Sequence, residues 1–186
     1  TVHLEPDGSP AFFSSISRDI SATKELEASL EHQATHDRLT NLPNRALFQE
    51  LVAHAIARTE RTGLATAVAF IDLDRFKSVN DAHGHIGGDE VLMEVAHRLR
   101  QCVRPGDTVG RFGGDEFTVL IEDLPAVQAA GRAEAVSERI LAGLREPVLI
   151  GDAEVHISAS VGVAVTEGGA TSELMDAATY SGTVGS

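Results

Sequence analysis

The 186-residue chain has one cysteine, Cys102, one tyrosine, no tryptophan, and only 15 lysines and arginines against 28 aspartates and glutamates. A lone thiol excludes a disulfide framework and fits a reducing, cytoplasmic compartment. The formal charge of −13 at pH 7 argues against a general nucleic-acid binder, which needs a cationic field to draw in phosphate backbones. An anionic nucleotide would have to be handled locally, by a divalent cation and a few placed donors. No apolar run reaches the roughly 18–20 residues that span a bilayer, and no signal peptide is visible. At 42% hydrophobic the composition suits a soluble domain with one good core and room for an appendage. The first residue is Thr rather than Met, so the sequence reads as an excised piece of a longer protein.

What is present is concentrated in residues 111–117, Arg-Phe-Gly-Gly-Asp-Glu-Phe. Two glycines and two adjacent carboxylates stand between strand-like runs, Thr108-Val109 before and Thr118-Val119-Leu120-Ile121 after. Gly113-Gly114 is a two-residue hairpin signal, because primed turns need positive φ and glycine adopts it at little cost. Asp115 and Glu116 then fall at or beside a hairpin tip that a bulky anion can approach. The plainer reading of the same tetrapeptide is a solvated acidic turn.

Before it, residues 1–20 read as two short strands around Glu5-Pro6-Asp7-Gly8, too small a hairpin to stand alone. Residues 21–36 follow as a helix capped at Asp19 or Ser21. Leu26 and Leu30 form a narrow stripe on it, as at a two-helix seam or against its own domain. The main domain runs over 37–180, and the Gly- and Ser-rich residues 181–186 read as a disordered tail. Within the domain, helices are expected at about 45–61, 89–103 and 126–144. A buried strand is expected at 65–73, hairpins at Gly113-Gly114 and Gly151-Asp152, and a last strand at 157–165. That order describes an α/β (α+β) sandwich, a mixed central β-sheet flanked by helices.

Asp72 closes the one run apolar enough to be a central strand, and strand ends are where α/β folds place ligands. Should the hairpin lie beside it, Asp72 meets Asp115 or Glu116, and converging hard oxygens suit Mg²⁺ with substrate phosphates completing the shell. Asp74 is expected to cap the next turn or helix. Residues 75–89 read as a loop whose glycines (Gly84, Gly87, Gly88) suit phosphate binding by backbone N–H groups, with Lys77 adding a charge. Asn80 and Asp89 offer a donor and an acceptor for a guanine edge; a turn Asn and a helix N-cap are the plainer readings.

Five segments, taken together and in order, carry a family resemblance. They are Asp37-Arg38-Leu39-Thr40-Asn41-Leu42-Pro43-Asn44-Arg45, Phe70-Ile71-Asp72-Leu73-Asp74-Arg75-Phe76-Lys77, Asn80-Asp81, Gly84-His85 with Gly88-Asp89, and Arg111 to Phe117. From about Asp37 to Val165 the chain resembles the GGDEF family of diguanylate cyclases. The end of the first segment resembles the close of a PAS sensor domain, and the helix after it resembles the coiled-coil linker that joins such sensors to GGDEF domains. The resemblance implies a nucleotidyl-cyclase, palm-like fold with an N-terminal helix, and condensation of two GTP to cyclic di-GMP and two pyrophosphates. It implies Mg²⁺ (or Mn²⁺) on Asp72, the Leu73 carbonyl, Asp115 and Glu116, with Asp115 also accepting the 3′-hydroxyl proton. Phe76 and Lys77 would lie by the phosphates, Asn80 and Asp89 would read guanine, and His85 would also touch substrate. Because each domain offers one GTP site, a homodimer is implied, to which the Leu26/Leu30 helix could contribute.

Arg104-Pro105-Gly106-Asp107 reads on its own as a type II turn that brings Arg104 and Asp107 together. Its spacing before the hairpin also matches the family's inhibitory RxxD site, which binds cyclic di-GMP as feedback inhibitor. One departure is plain: no Lys or Arg follows Arg145, whereas family members carry basic residues near their end that touch the triphosphate. The alternative is therefore a catalytically inactive regulatory module that binds GTP or cyclic di-GMP.

Overall fold

The computed structural model describes residues 32–166 continuously, together with residues 2–4, 7, 10–13, 24 and 30. It divides into two units, Thr1–Ala34 and Thr35–Ser186. In the first, β1 (Val2–Leu4) pairs antiparallel with β2 (Pro10–Phe13), the hairpin expected there. Lys24, Leu30 and residues 32–34 are helical, and Leu30 is exposed. Leu26 and the tail at 181–186 lie outside the described residues, as does most of the expected PAS-like and linker region.

The second unit holds α1 (Arg45–Thr62), β3 (Leu64–Asp74), α2 (Phe76–Cys102), β4 (Thr108–Gly113), β5 (Glu116–Pro125), a 3₁₀ turn (Ala126–Gln128), α3 (Ala129–Leu144), β6 (Val148–Ile150), β7 (Ala153–Val155) and β8 (Ser158–Val165). Asn44 caps α1, accepting from Leu47 N at 3.1 Å, and Gly63 ends it in the left-handed conformation at φ 70°. Both are ordinary start and stop chemistry. Four strands form one sheet in the order β4-β5-β3-β8, and β6 with β7 forms a separate ribbon turning at Gly151-Asp152.

The sheet differs in one respect from the mixed one expected. All three of its pairings are antiparallel. A helix between two strands suggests a parallel crossover, but α2 instead delivers the chain to the far edge, from which the β4–β5 hairpin folds back alongside β3.

Both faces of β3 are covered, which explains its unbroken apolar run. Val68 and Leu120 pack with Phe48, Val52, Ala55 and Ile56 of α1 on one face. Ala67, Ala69, Ile71 and Leu73 pack on the other with Val91, Val95 and Leu99 of α2 and Ala133 and Ile140 of α3. Each even-numbered residue of β3 therefore belongs to the α1 face, which is where Asp72 and Asp74 emerge past the helix. The segment ahead of α1 lies close against β4: a Cβ at Gly110 would come within 2.7 Å of Phe48 Cδ2 and 3.2 Å of the Pro43 carbonyl oxygen.

Under α1, the Thr118 hydroxyl is buried without a hydrogen-bond partner among the described residues. A lost hydroxyl hydration without a replacement bond costs about 1–3 kcal/mol. Thr118→Val keeps the branched shape and removes that cost, so it is expected to stabilise the domain by about 1 kcal/mol. Urea unfolding with an unchanged m-value is the measurement, and a destabilised variant would mean that the hydroxyl is satisfied.

Candidate functional site

The hairpin is positioned by one buried arginine. Arg111, on β4, is 8% exposed. Its Nε and one terminal nitrogen donate to the Gly114 carbonyl at 3.2 and 2.7 Å, and its other terminal nitrogen donates to Asp37 Oδ1 at 2.8 Å. Asp37 in turn accepts from the Thr40 amide at 2.9 Å and the Thr40 hydroxyl at 2.6 Å. The Arg111 amide donates to the Pro43 carbonyl at 2.9 Å. Burial alone would raise the Asp37 carboxyl, but the Thr40 hydrogen bonds and Arg111 outweigh it and hold the group below its usual value. The motif segments 37–45 and 111–117 are thus one physical unit.

The turn itself sits one residue later than expected. Gly113 still pairs with Glu116, and the loop is Gly114-Asp115. The register slips between Arg111 and Gly113, and Phe112, at that slip, packs edge-on against Phe48 and Phe70 at 5.5 and 6.5 Å. Gly113 and Gly114 take φ of 137° and 52°, so the residue type is required although the turn has moved.

Beside it, Glu116 stands opposite Asp72 in the β3–β5 ladder, and the Leu73 amide donates to the Asp115 carbonyl at 3.3 Å. Asp72 lies at the exposed end of its strand. Partial burial there, followed by the charges of Asp115 and Asp74, raises its carboxyl above the usual value. The expected convergence of Asp72 with Asp115 is therefore present. Among the described residues no three His, Cys, Asp or Glu side chains already enclose a metal position. A pair of repelling carboxylates beside a strand-end carbonyl fits a hard divalent cation that takes the rest of its shell from phosphates and water.

Asp74 is not a cap. It accepts from Ser158 Oγ at 2.7 Å and Ser160 Oγ at 2.8 Å on β8, and these bonds hold its carboxyl below the usual value. The N-cap position of α2 is Arg75, in the left-handed conformation at φ 57° with no side-chain cap, a strained backbone of the kind found at working sites. An open cavity of about 840 Å³ spreads from this point, lined by Asp72, Asp74, Arg75, Ser78, His83 and Ser158 among others. Its size is in the range of small-ligand sites. Arg75, Ser78 and His83 carry no sequence signal of their own for this cavity, only their neighbourhood to Asp72 and Asn80.

The expected loop at 75–89 is helix. α2 starts at Phe76, and its only non-helical residue is Gly84, with φ 72° and ψ 173°. Phe76 contributes its ring to the core, so what it can offer phosphates is its N–H in the first helical turn, beside that of Lys77. Lys77, His85 and Asp89 are exposed and Asn80 is half-buried. Gly87 and Gly88 do not cradle an anion in this arrangement; both are buried, where the two halves of the kinked helix meet.

The Arg104–Asp107 turn is as expected, with Asp107 N donating to the Arg104 carbonyl at 3.1 Å and Gly106 at φ 102°. The Asp107 side chain is 1% exposed, against 46% for Arg104. Asp107 accepts from Arg104 Nε and N, both at 3.3 Å, and from the Glu122 amide at 3.4 Å. Arg104 also donates to the Glu122 carbonyl. The Glu122 side chain pairs with Arg58 at 2.5 Å, a partner that no local sequence signal indicated.

Residues 34–181 match the family model described as diguanylate cyclase, GGDEF domain. The chain is 47% identical over 152 residues to the bifunctional diguanylate cyclase/cyclic di-GMP phosphodiesterase MucR of Pseudomonas aeruginosa, covering 79% of this chain and 22% of that one. It is 38% identical over 148 residues to the cyclic di-GMP phosphodiesterase PdeR of Escherichia coli, covering 80% of this chain and 22% of that one. The chain thus spans about a fifth of either relative. Among solved structures, the coiled coil and GGDEF domain of DgcB from Caulobacter crescentus, in complex with c-di-GMP, superposes with a TM-score of 0.75 at 27% identity, over 86% of this chain and 84% of that one. Among the described residues, no helix is long and apolar enough to cross a membrane.

The Asp37–Arg111 pair has a pH signature. A carboxyl with a depressed folded-state pKa contributes stability that is complete above its unfolded value and is lost as the pH falls through the folded one. Asp37→Asn is therefore expected to be less stable than the parent at pH 7, with the gap closing below about pH 4. Urea unfolding of both proteins across pH 3–7 measures it; a gap independent of pH would refute the charge contribution.

Proposed function

The chain belongs to the GGDEF family of diguanylate cyclases, and on that premise we propose that it condenses two GTP into cyclic di-GMP with release of two pyrophosphates. The observation that carries this reading is the meeting of Asp72, which lines the cavity, with the Asp115 hairpin on the neighbouring strand. Asp72, the Leu73 carbonyl and Asp115, with Glu116 beside them, are the groups that would hold Mg²⁺ or Mn²⁺. Such an ion neutralises charge developing on the phosphates and lowers the pKa of the attacking hydroxyl.

The protein's own groups do the rest. Lys77 and the N–H groups opening α2 bind the triphosphate, while Asn80 and Asp89 read the base and His85 flanks the substrate. A carboxylate at Asp89 can accept from N1–H and N2–H₂, two donors that guanine presents side by side and adenine does not. The Asp115 carboxylate takes the proton from the 3′-hydroxyl as its oxygen bonds to the α-phosphorus of the other GTP and pyrophosphate leaves. The step occurs twice, once in each direction, so two sites must face each other across a homodimer. Product inhibition is read from Arg104, whose half-exposed guanidinium suits a phosphate or guanine edge, with the buried Asp107 holding it in place.

A second reading, a regulatory module that binds nucleotide without turnover, is favoured by the match to PdeR, which is named a cyclic di-GMP phosphodiesterase. Incubation with GTP and Mg²⁺ at high protein concentration separates the two, with cyclic di-GMP as the readout. Asp115→Asn is expected to lower turnover by about a hundredfold or more, as for loss of a group that acts in the transition state; undiminished product formation would refute the assignment. Arg104→Ala is expected to weaken inhibition by added cyclic di-GMP about tenfold while leaving the initial rate near that of the parent, the loss of one charged hydrogen-bonding group. Unchanged inhibition would leave the turn a turn.

A further inference from the structure

Asn80 and Gly88 lie on opposite sides of the Gly84 kink, so the half of α2 that carries Asn80 is folded against the half that carries Gly88. A Cβ built on Gly88 would stand 2.0 Å from Asn80 Oδ1, 3.1 Å from its Cγ and 3.3 Å from Phe76 Cζ. The first distance is far inside contact, so the amide occupies the space that a side chain at 88 would fill. Among the described residues no hydrogen bond holds the Asn80 amide, and its orientation rests on this packing. Gly88 is helical with no positive φ, so nothing in the backbone requires glycine there.

We propose that Gly88 is a specificity-determining position, whose missing Cβ is the niche that holds the Asn80 amide where it reads the nucleobase. The inference rests on the reading of Asn80 as a guanine contact. With Oδ1 turned into the niche, Nδ2 is left as the outward group, a donor suited to guanine O6 or N7. An alanine at 88 has one cheap way out. The Phe76 ring is fixed in the core, whereas Asn80 turns about two side-chain torsions with no bond to break. Gly88→Ala therefore swings the amide away and leaves the helix intact. Gly87 differs, because a Cβ there would stand 2.7 Å from His83 Cβ, an atom close to the backbone that cannot swing aside; its glycine serves the close approach of the two helix halves.

The test is equilibrium binding of 3′-deoxy-GTP and 3′-deoxy-ATP in Mg²⁺, ligands that lack the attacking hydroxyl, to the parent chain, Asn80→Ala, Gly88→Ala and the double variant. Gly88→Ala is expected to keep its melting temperature and to lose about five- to tenfold in affinity for the guanine ligand alone, the effect of one hydrogen bond. On the Asn80→Ala background it is expected to cost nothing more, since its effect passes through that amide. An Asn80→Ala variant with unchanged base preference would overturn the reading of Asn80 and the inference with it. If Asn80→Ala loses the preference but Gly88→Ala retains it, or if the two losses add, the inference alone is overturned. Should Gly88→Ala unfold, its folding in the double variant reports the same contact, and unfolding there as well would overturn it.

Discussion

The hydrogen bonds of Arg111 are the constraint on which the site depends. Its guanidinium joins the Gly114 carbonyl, at the turn, to Asp37, two segments far apart in the chain. A two-residue turn with a glycine in it and another just before it has unusual backbone freedom. The arginine removes that freedom by fixing a carbonyl of the loop from behind, where no ligand needs to go. Burial makes each bond stronger than it would be in water, and the Thr40 bonds leave Asp37 ionised to receive it.

At the front of the same turn the electrostatics run the other way. The sheet end gathers Asp72, Asp74, Asp115 and Glu116 into a small region of a chain that is already acidic. Two serines on β8 neutralise part of this by donating to Asp74, whereas Asp72 has its carboxyl pushed up by burial and by its neighbours. Repulsion left standing at Asp72, with compensation two positions away at Asp74, is an arrangement that would suit a cation. The fold tolerates that cost because Arg111 and the covered sheet supply stability elsewhere.

Much of this is legible in the amino-acid sequence alone. The central strand, two of the long helices and the second half of α2 were visible in their periodicity, and the meeting of Asp72 with the hairpin was expected on condition that the two lie side by side. What was not legible came from tertiary contacts. The turn moved by a residue because the ladder slips at Phe112, whose ring packs with Phe48 and Phe70. Residues 76–88 lack an apolar stripe and contain three glycines, so local propensity reads them as loop. They are helical because Phe76 is in the core and because two of those glycines let the helix halves touch. Nor could a local reading show that the Asp107 side chain is buried against Arg104 and the Glu122 amide, which belongs to a neighbouring strand.

The wholly antiparallel sheet also sets when the site can exist. Asp74 finds its serines 84 and 86 positions further along the chain, and Arg111 finds Asp37 74 positions back. Contacts of such separation carry the loop-closure entropy of everything between them, and they form late in the folding of small domains. A chain that has formed only its helices and local hairpins therefore lacks both the Asp74–serine bonds and the Arg111–Asp37 bond. These bonds are complete only when β8 has docked, so a ligand held at this sheet end would stabilise only the finished sheet.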